Sequence, residues 1–405
     1  MSKKLHLFAG YGVELEYMVV AAETLAARPI VDELFFSLTG NYGGDINRGK
    51  MEWSNELTAH VVEFKNRKPM SDLKEIARRL QEQVETCNKL LQKFNARLLP
   101  TGAHPFMKPL SEAKIWPHGH NEVYQAYNRI FDCRGHGWSN VQSAHLNLPF
   151  YNDDEFGRLH AAIRLLLPII PSLSASTPIL EGRRTKFLDT RLDCYRKNQT
   201  RVPSLTGSVV PEAVLTKSDY ERVIFKKIYQ DIAPYDPKGI LRHEWLNSRG
   251  AIARFDRNAI EIRVIDMQEC PLADVAVISA VAGALKALIF ERWSGFDAQK
   301  IFDEKKLARM LWSVARQGGK TRLEDKKYLR LFGCTKQSVS AQSLWEHILG
   351  DSGVDAYWRK PLNHILSKGN LSERIVRTLR GNYSHPRILQ VYGALADSLA
   401  KGVMF

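Results

Sequence analysis

The sequence has few residues that could staple a fold or anchor it in a bilayer. Its five cysteines, Cys87, Cys133, Cys194, Cys270 and Cys334, are odd in number, widely scattered over 405 residues, and include no C-x-x-C pair. That spacing suggests neither a cysteine metal knuckle nor a dithiol redox couple, and reduced thiols in a cytoplasmic protein are the simplest expectation. Long uncharged apolar runs are also missing. The most apolar window, "LADVAVISAVAGALKALIF", contains Asp274 and Lys286 and reads as a buried core helix, so no membrane partner is expected. The opening "MSKKLHLFAGYGVELEY" reaches glutamates before any apolar core and is not expected to act as a secretory signal. There is no repeat at a fixed period and no low-complexity linker.

Acidic residues are the scarcer sign of charge. The chain has 58 Lys+Arg against 44 Asp+Glu, a net charge of +14. Residues 297–405 hold 19 Lys+Arg against 10 Asp+Glu, so most of the surplus lies in the last quarter. Such a surface attracts polyanions, acidic proteins or phosphorylated substrates, and its plain alternative is a solvated basic face with no dedicated partner. With 44% hydrophobic and 25% charged residues, the composition is that of a globular protein with a sizeable core.

The periodicity predicts an α+β fold. Strands are expected over "YGVELEYMVV" (residues 11–20), "HVVEF" (60–64), "ARLL", and "SNVQSAHLNLPF" (139–150), with another over "AIEIRVID". Residues 70–96 repeat Leu73, Ile76, Ala77, Leu80 and Val84 at helical spacing behind a candidate N-cap, Ser71. A second helix is expected over about 153–170. Residues 172–211, rich in Ser, Thr, Pro and Arg, read as a long ordered loop region of the kind that often carries function. From 297 onward the pattern is helical. The expected organisation is a catalytic domain over 1–296 and a basic helical section over 297–405 packed on it.

Three strands share a peculiarity: polar residues at i and i+2, which lie on one face of an otherwise apolar strand. These are Glu14 and Glu16, His145 and Asn147, and Glu261 and Arg263. "VVEFK" adds Glu63, with Glu56 seven residues earlier; that odd separation places Glu56 in the preceding turn or past a bulge. Five carboxylates and a histidine on one sheet face need positive charge among them. Mg²⁺ supplies it, held by a few carboxylates together with substrate phosphates, and arginines beside such a site suit phosphate oxygens. The plain alternative for each pair is a cross-strand salt bridge on a wet face.

Two other patterns carry less. "RQGGKT" (316–321) lacks the glycine that a phosphate-binding loop needs at Val314, and no strand precedes it. His118, His120 and His136 near Cys133 match no standard zinc spacing.

Taken in order, "GVELEY", "HVVEFKNRKP", "LLPTGAHPF", "AHLNLPF", "SLSASTPILEGRRTKFLDTR" and "IEIRVID" resemble the motif series of the glutamate–cysteine ligase type 2 family of carboxylate–amine ligases. The series spans about residues 12–266. The resemblance implies a glutamine synthetase-like fold, a curved and mostly antiparallel sheet with flanking helices, and an ATP- and Mg²⁺-dependent reaction, with Mn²⁺ as the alternative ion. In that reaction ATP phosphorylates a substrate carboxylate and an amine displaces the phosphate, leaving a γ-glutamyl-type amide. It further implies Glu14, Glu16, Glu56, Glu63, His145 and Glu261 as metal ligands. Arg263 and Arg191 are implied as catalytic residues, and Asn147, Arg263 and Arg254 as contacts to the nucleotide.

The chain departs from the family pattern at Arg184, Thr185 and Lys186, where the bacterial branch has D-T-G, and in "EWLNSRGAIARFDRN", where it has W-D-x-R-P. The substrate-selecting parts thus match less well than the metal and ATP parts, so glutamate and cysteine are not assumed. Arg183, Arg184, Lys186, Arg249 and Arg254 are candidates for an acidic substrate. The expected partners are an amino-acid carboxylate and an amine, with an acidic carrier protein and a homo-oligomer as further expectations. Two rival readings are a kinase on the same fold and a basic nucleic-acid or polyanion binder; no recognised nucleic-acid motif favours the latter.

Overall fold

An eight-stranded sheet in which every pairing is antiparallel forms the centre of the protein. The computed structural model describes residues 4–119 and 121–405. The strands are β1 (Gly12–Ala21), β2 (Asp45–Arg48), β3 (Met51–Asn55), β4 (Val61–Asn66), β5 (Ala96–Leu99) and β6 (Ser143–Pro149). A separate two-strand hairpin, β7 (Ile179–Leu180) and β8 (Arg183–Arg184), follows, and then β9 (Ala251–Arg254) and β10 (Ala259–Asp266) complete the sheet. The order is β2-β3-β4-β1-β6-β10-β9, with β5 pairing the outer half of β1. The three strands bearing the i, i+2 pairs, β1, β6 and β10, are therefore consecutive neighbours at its middle.

Alternation explains the two faces. Val13, Leu15, Phe64, Leu146, Leu148, Ile260 and Ile262 are fully buried and join one core with the helices Leu73–Leu91, Asp153–Leu166 and Pro271–Ile289. The first of these begins one residue later than its sequence pattern suggested. Asp72, rather than Ser71, is the N-cap, and its carboxylate accepts from the Lys74 N–H, an interaction worth about 1 kcal/mol. The helix Pro271–Ile289 is apolar on all sides because it is surrounded on all sides: 17 of its 19 residues are buried. It is the one helix among the described residues long and apolar enough to cross a membrane by composition, and it lies inside the protein.

The segment expected as a long loop is more structured than its composition suggested. It contains a short helix Pro171–Ser174, the β7–β8 hairpin, the helix Thr190–Tyr195 and a turn Pro203–Leu205. Such short elements, capped locally by side chains like Asp189, leave no periodicity to detect. The C-terminal helices share the main core through Leu307, Leu311, Leu344, Trp345 and Ile365. The last two, Leu371–Leu379 and His385–Lys401, add a second cluster against Met18, Val20 and Leu99 at the outer end of β1 and β5.

Candidate active site

Register brings the polar pairs together. Glu14 stands opposite Lys65 of β4 on one side and His145 of β6 on the other; Glu16 stands opposite Glu63; Glu261 stands opposite Asn147. Cross-strand partners point to the same face, so one polar surface runs across β4, β1, β6 and β10. Glu56 directly follows β3 and keeps its alternation with Ser54, which is paired with Glu63. The odd separation from Glu63 is resolved because the two carboxylates lie on different strands.

Two groups within this surface have their oxygen or nitrogen atoms within 4.8 Å of one another: Glu14, Glu63 and His145, and Glu16, Glu56 and Glu63. Glu63 belongs to both. His145 Nδ1 lies 2.9 Å from Glu14 and 3.7 Å from Glu261, and its Nε2 is 2.8 Å from Ser143 Oγ. Ser143 in turn donates its backbone N–H to Glu16 at 2.7 Å. Asn147 donates to Glu14 at 3.1 Å. That contact depends on Gly12, where a Cβ would come within 2.9 Å of the Asn147 Cβ.

The electrostatics show too little positive charge for so many carboxylates. Burial alone would raise Glu14, but the hydrogen bond and charge of His145, with Lys65 and Arg263, bring it down to about 2. Burial opposes a charge on His145, yet Glu14, Glu16 and Glu261 raise it to about 9. Glu63 is pushed up to about 7 by burial and Glu14, against the pull of Lys65, and Glu56 is driven well above the usual carboxylate range by burial, Glu16 and Glu63. Lys65, 2.8 Å from Glu63, and the imidazolium of His145 thus neutralise part of the cluster but not Glu56. A donor set of mostly carboxylate oxygens with one imidazole fits hard divalent ions such as Mg²⁺ or Mn²⁺, and the shared Glu63 suits a pair of them.

Arginines stand at the edge. Arg263 donates to Glu261 at 2.5 Å, and Arg254 lies 3.7 Å from the other oxygen of Glu261 while also pairing with Asp256 at 3.1 Å. Arg191 is buried, its Nε bonded to Asp266 and its terminal nitrogen 3.3 Å from the Arg263 carbonyl. A cavity of about 260 Å³ opens between these groups, reaching Glu16, Glu56, His145, Arg191 and Arg263, with aromatic walls from Tyr124, Tyr127, Trp138 and Trp245.

Asp266 was not legible as part of the site. Counted from Glu261 it should face the opposite side, but the register of β10 against β6 slips between Ile262 and Ile265, so Asp266 pairs with Ser143 and faces the cluster. One bulged residue inverts every later side chain. Asp266 also accepts from the Ser176 N–H at 2.9 Å and Thr177 Oγ1 at 3.0 Å. A Cβ at Gly102 would lie 2.7 Å from its carboxyl carbon. The motifs "SAST" and "TGAHPF" therefore build the seat of Asp266, and Asp266 holds Arg191. Asp189 is buried beside it, and burial together with the Asp266 charge raises its carboxyl well above the usual range.

Other candidates lie elsewhere or are already occupied. Arg249 is buried and bidentate to Glu212, with bonds at 2.6 and 2.5 Å, and also contacts Asn247, so it is a structural ion pair rather than a free substrate contact. Arg183 and Arg184 are exposed on β8. His118 pairs with Asp32 and His136 with Glu181, while His120 lies outside the described residues. "RQGGKT" ends the helix Glu304–Gln317, so a helix and not a strand precedes it. Lys65, Ser54 and Ser143 were missed, although each shows the same i, i+2 signal, beside Glu63, Glu56 and His145 respectively.

A model of the family described as Glutamate-cysteine ligase family 2 (GCS2) matches residues 11–392. The chain is 38% identical over 265 residues to an "Uncharacterized protein" of Archaeoglobus fulgidus, covering 65% of this chain and 70% of that one. It is 25% identical over 325 residues to a Sorangium cellulosum protein named "Putative glutamate--cysteine ligase 2", covering 76% and 75% of the two chains. In fold it is similar to the crystal structure of glutamate–cysteine ligase from Francisella tularensis in complex with AMP. The TM-score is 0.63 at 13% identity, covering 98% of this chain and 89% of that one.

Proposed function

Because the chain belongs to glutamate-cysteine ligase family 2, and with it to the ATP-dependent ligases that form carbon–nitrogen bonds, we propose that it joins a carboxylate to an amine through an acyl phosphate at the cluster on β1, β4, β6 and β10. The observation that carries this reading is the pair of metal-competent groups sharing Glu63, set beside two arginines and an aromatic-walled cavity.

In this reading Glu14, Glu16, Glu56, Glu63, His145 and Glu261 hold two or more Mg²⁺ ions, which when bound would neutralise phosphate charge. A substrate carboxylate oxygen attacks the γ-phosphorus of ATP, the bond to the β-phosphate oxygen breaks, and ADP leaves. The amine nitrogen then attacks the acyl carbon, loses a proton, and expels inorganic phosphate to give the amide. Arg263, held by Glu261, stabilises charge on the transferring phosphoryl oxygens, where positioning and electrostatics supply nearly all the catalysis. Arg191, fixed by Asp266 at the cavity wall, serves the substrate carboxylate. Asn147 and Arg254, which contact Glu14 and Glu261, would orient those ligands and reach the nucleotide. The cavity's aromatic walls exclude water, which would otherwise hydrolyse the acyl phosphate.

The test is ADP release from ATP and Mg²⁺ over paired panels of carboxylates and amines, with mass spectrometry of the products. ADP formed only when both partners are present, with the amide mass, supports the ligase. A stable phosphorylated product without amide would turn the reading to a kinase using the same cluster. Glu261→Gln is expected to lower turnover at least about 10²-fold while leaving the circular dichroism spectrum unchanged.

A further inference from the structure

A cavity of about 680 Å³, larger than the one over the carboxylate cluster, lies between the segment 184–188, the "RQGGKT" turn and the helices Arg359–Lys368 and Leu371–Leu379. Its charge is one-sided. Arg184, Lys186, Arg316, Lys320, Lys368 and Arg377 line it, all of them exposed, against one carboxylate, Glu373. None of the six has an ion-pair partner among the described residues. Arg184 reaches only the Tyr383 hydroxyl, at 3.4 Å, Arg377 the Lys368 carbonyl, at 2.5 Å, and Arg316 the Phe187 ring, at 5.4 Å. Glu373 is itself engaged, since its Oε2 accepts from the Asn370 N–H at 3.1 Å. Some exposed cations elsewhere meet carboxylates, as in Arg78–Glu82 and Lys227–Asp231, and others, such as Lys305 and Lys336, have no such partner among the described residues; what sets the groove apart is that six lie around one hollow. Six like charges around one hollow repel one another, and fold stability gives no reason to collect them there.

The chemistry of the walls narrows the ligand. The backbone N–H groups that would favour a compact phosphate are not on offer at the N-terminus of the helix Leu371–Leu379, which is already closed by a capping box between Asn370 and Glu373. A nucleic-acid strand would need an open aromatic face for stacking, and the cavity's one aromatic, Phe187, is flanked by Arg196 at 5.9 Å and Arg316 at 5.4 Å. What remains is cations dispersed among apolar side chains, Leu188, Leu366 and Val376, which suits carboxylates spaced along an extended peptide.

The groove is also wired to the catalytic cavity. Leu188 and Asp189 donate their N–H groups to the Ala315 carbonyl at 3.1 and 2.9 Å, and Asp189 caps the helix Thr190–Tyr195 that carries Arg191. We infer that this groove docks an acidic segment of a protein or peptide substrate, whose carboxylate or amine end is delivered to the cavity beside Arg191. The docking stands on the groove itself; the delivery rests on the ligase reading above.

The experiment is fluorescence anisotropy of a labelled oligoglutamate peptide with the full-length protein at low and physiological ionic strength. Lys320→Gln combined with Lys368→Gln is expected to weaken binding at least about tenfold, or about 1.4 kcal/mol. Lys305→Gln combined with Lys336→Gln, which removes the same charge from exposed positions outside the groove, is expected to leave it within about twofold. Thermal melts of both variants establish that they are folded. Equal losses in the two double variants would overturn the proposal in favour of diffuse basic attraction. So would an RNA oligonucleotide of equal charge that bound more tightly and lost affinity through the same two lysines, or no peptide binding at low salt. Silence of the wild type in the amide assay with free small molecules, by contrast, bears on the ligase reading and not on this binding.

Discussion

Replacing Glu63 by glutamine probes the charge logic of the cluster at the one side chain shared by both groups. Burial and Glu14 hold its carboxyl at about 7 against an ordinary 4.5. A carboxyl whose folded value exceeds its unfolded one weakens the fold as the pH rises from the lower value through the higher, and here the loss is on the order of 3 kcal/mol at about pH 8. Glutamine keeps the shape and an oxygen for Ser54 and Lys65, which lie at 3.1 and 2.8 Å, but presents no charge to Glu14 and Glu16. Without metal at about pH 8, Glu63→Gln is therefore expected to be as stable as the wild type or up to about 3 kcal/mol more stable. With Mg²⁺ the order reverses. An ion that binds only the folded protein stabilises it by about 2.7 kcal/mol at a hundredfold excess over its dissociation constant, and the variant should forfeit most of that gain. Urea denaturation followed by circular dichroism, with and without MgCl₂, measures all four stabilities. Equal Mg²⁺ gains in the two proteins, or a metal-free variant less stable than the wild type by more than about 1 kcal/mol, would refute the reasoning.

Two further outcomes follow from buried groups behind the site. Asp266→Ala leaves the Arg191 guanidinium buried without its carboxylate and should cost roughly 3–5 kcal/mol by urea denaturation, whereas a loss under about 1 kcal/mol would show that Arg191 is not held this way. His104 accepts the Phe106 and Met107 N–H groups on Nδ1, at 3.0 and 2.9 Å, and burial lowers it to about 4. His60 is likewise lowered by burial to about 4. Both sit below their unfolded value, so each contributes a loss of stability as the pH drops from about 6.5 to 4, opposite in sign to the contribution of the raised carboxyl of Glu63. NMR titration of the two imidazole rings reads this directly, and protonation of either ring near its ordinary value of 6.5 would contradict the neutral, buried assignment.

How much of this was legible in the sequence depends on the range of the interaction. The i, i+2 polar pairs at Glu14 and Glu16, His145 and Asn147, and Glu261 and Arg263 determined locally which residues share a strand face, because the period of two is a property of the backbone. The amphipathic spacing of residues 73–91 fixed a helix for the same reason, and the largely apolar run at 271–289, broken only by Asp274, Ser279 and Lys286, announced its burial. The adjacency of β4, β1, β6 and β10 had no local signature. It followed from the ordered motif series only by resemblance, and it is the pairing of strands distant in sequence that turns separate pairs into one cluster. Three features belonged to tertiary structure alone. The slip in β10 turns Asp266 toward the site, an inversion no alternation count can foresee. Arg249, which composition offers as a substrate contact, is consumed by Glu212 from another segment. The six groove cations, which have no ion-pair partner among the described residues, are spread from residue 184 to 377, so the sequence declares the excess charge but only packing brings it to one place.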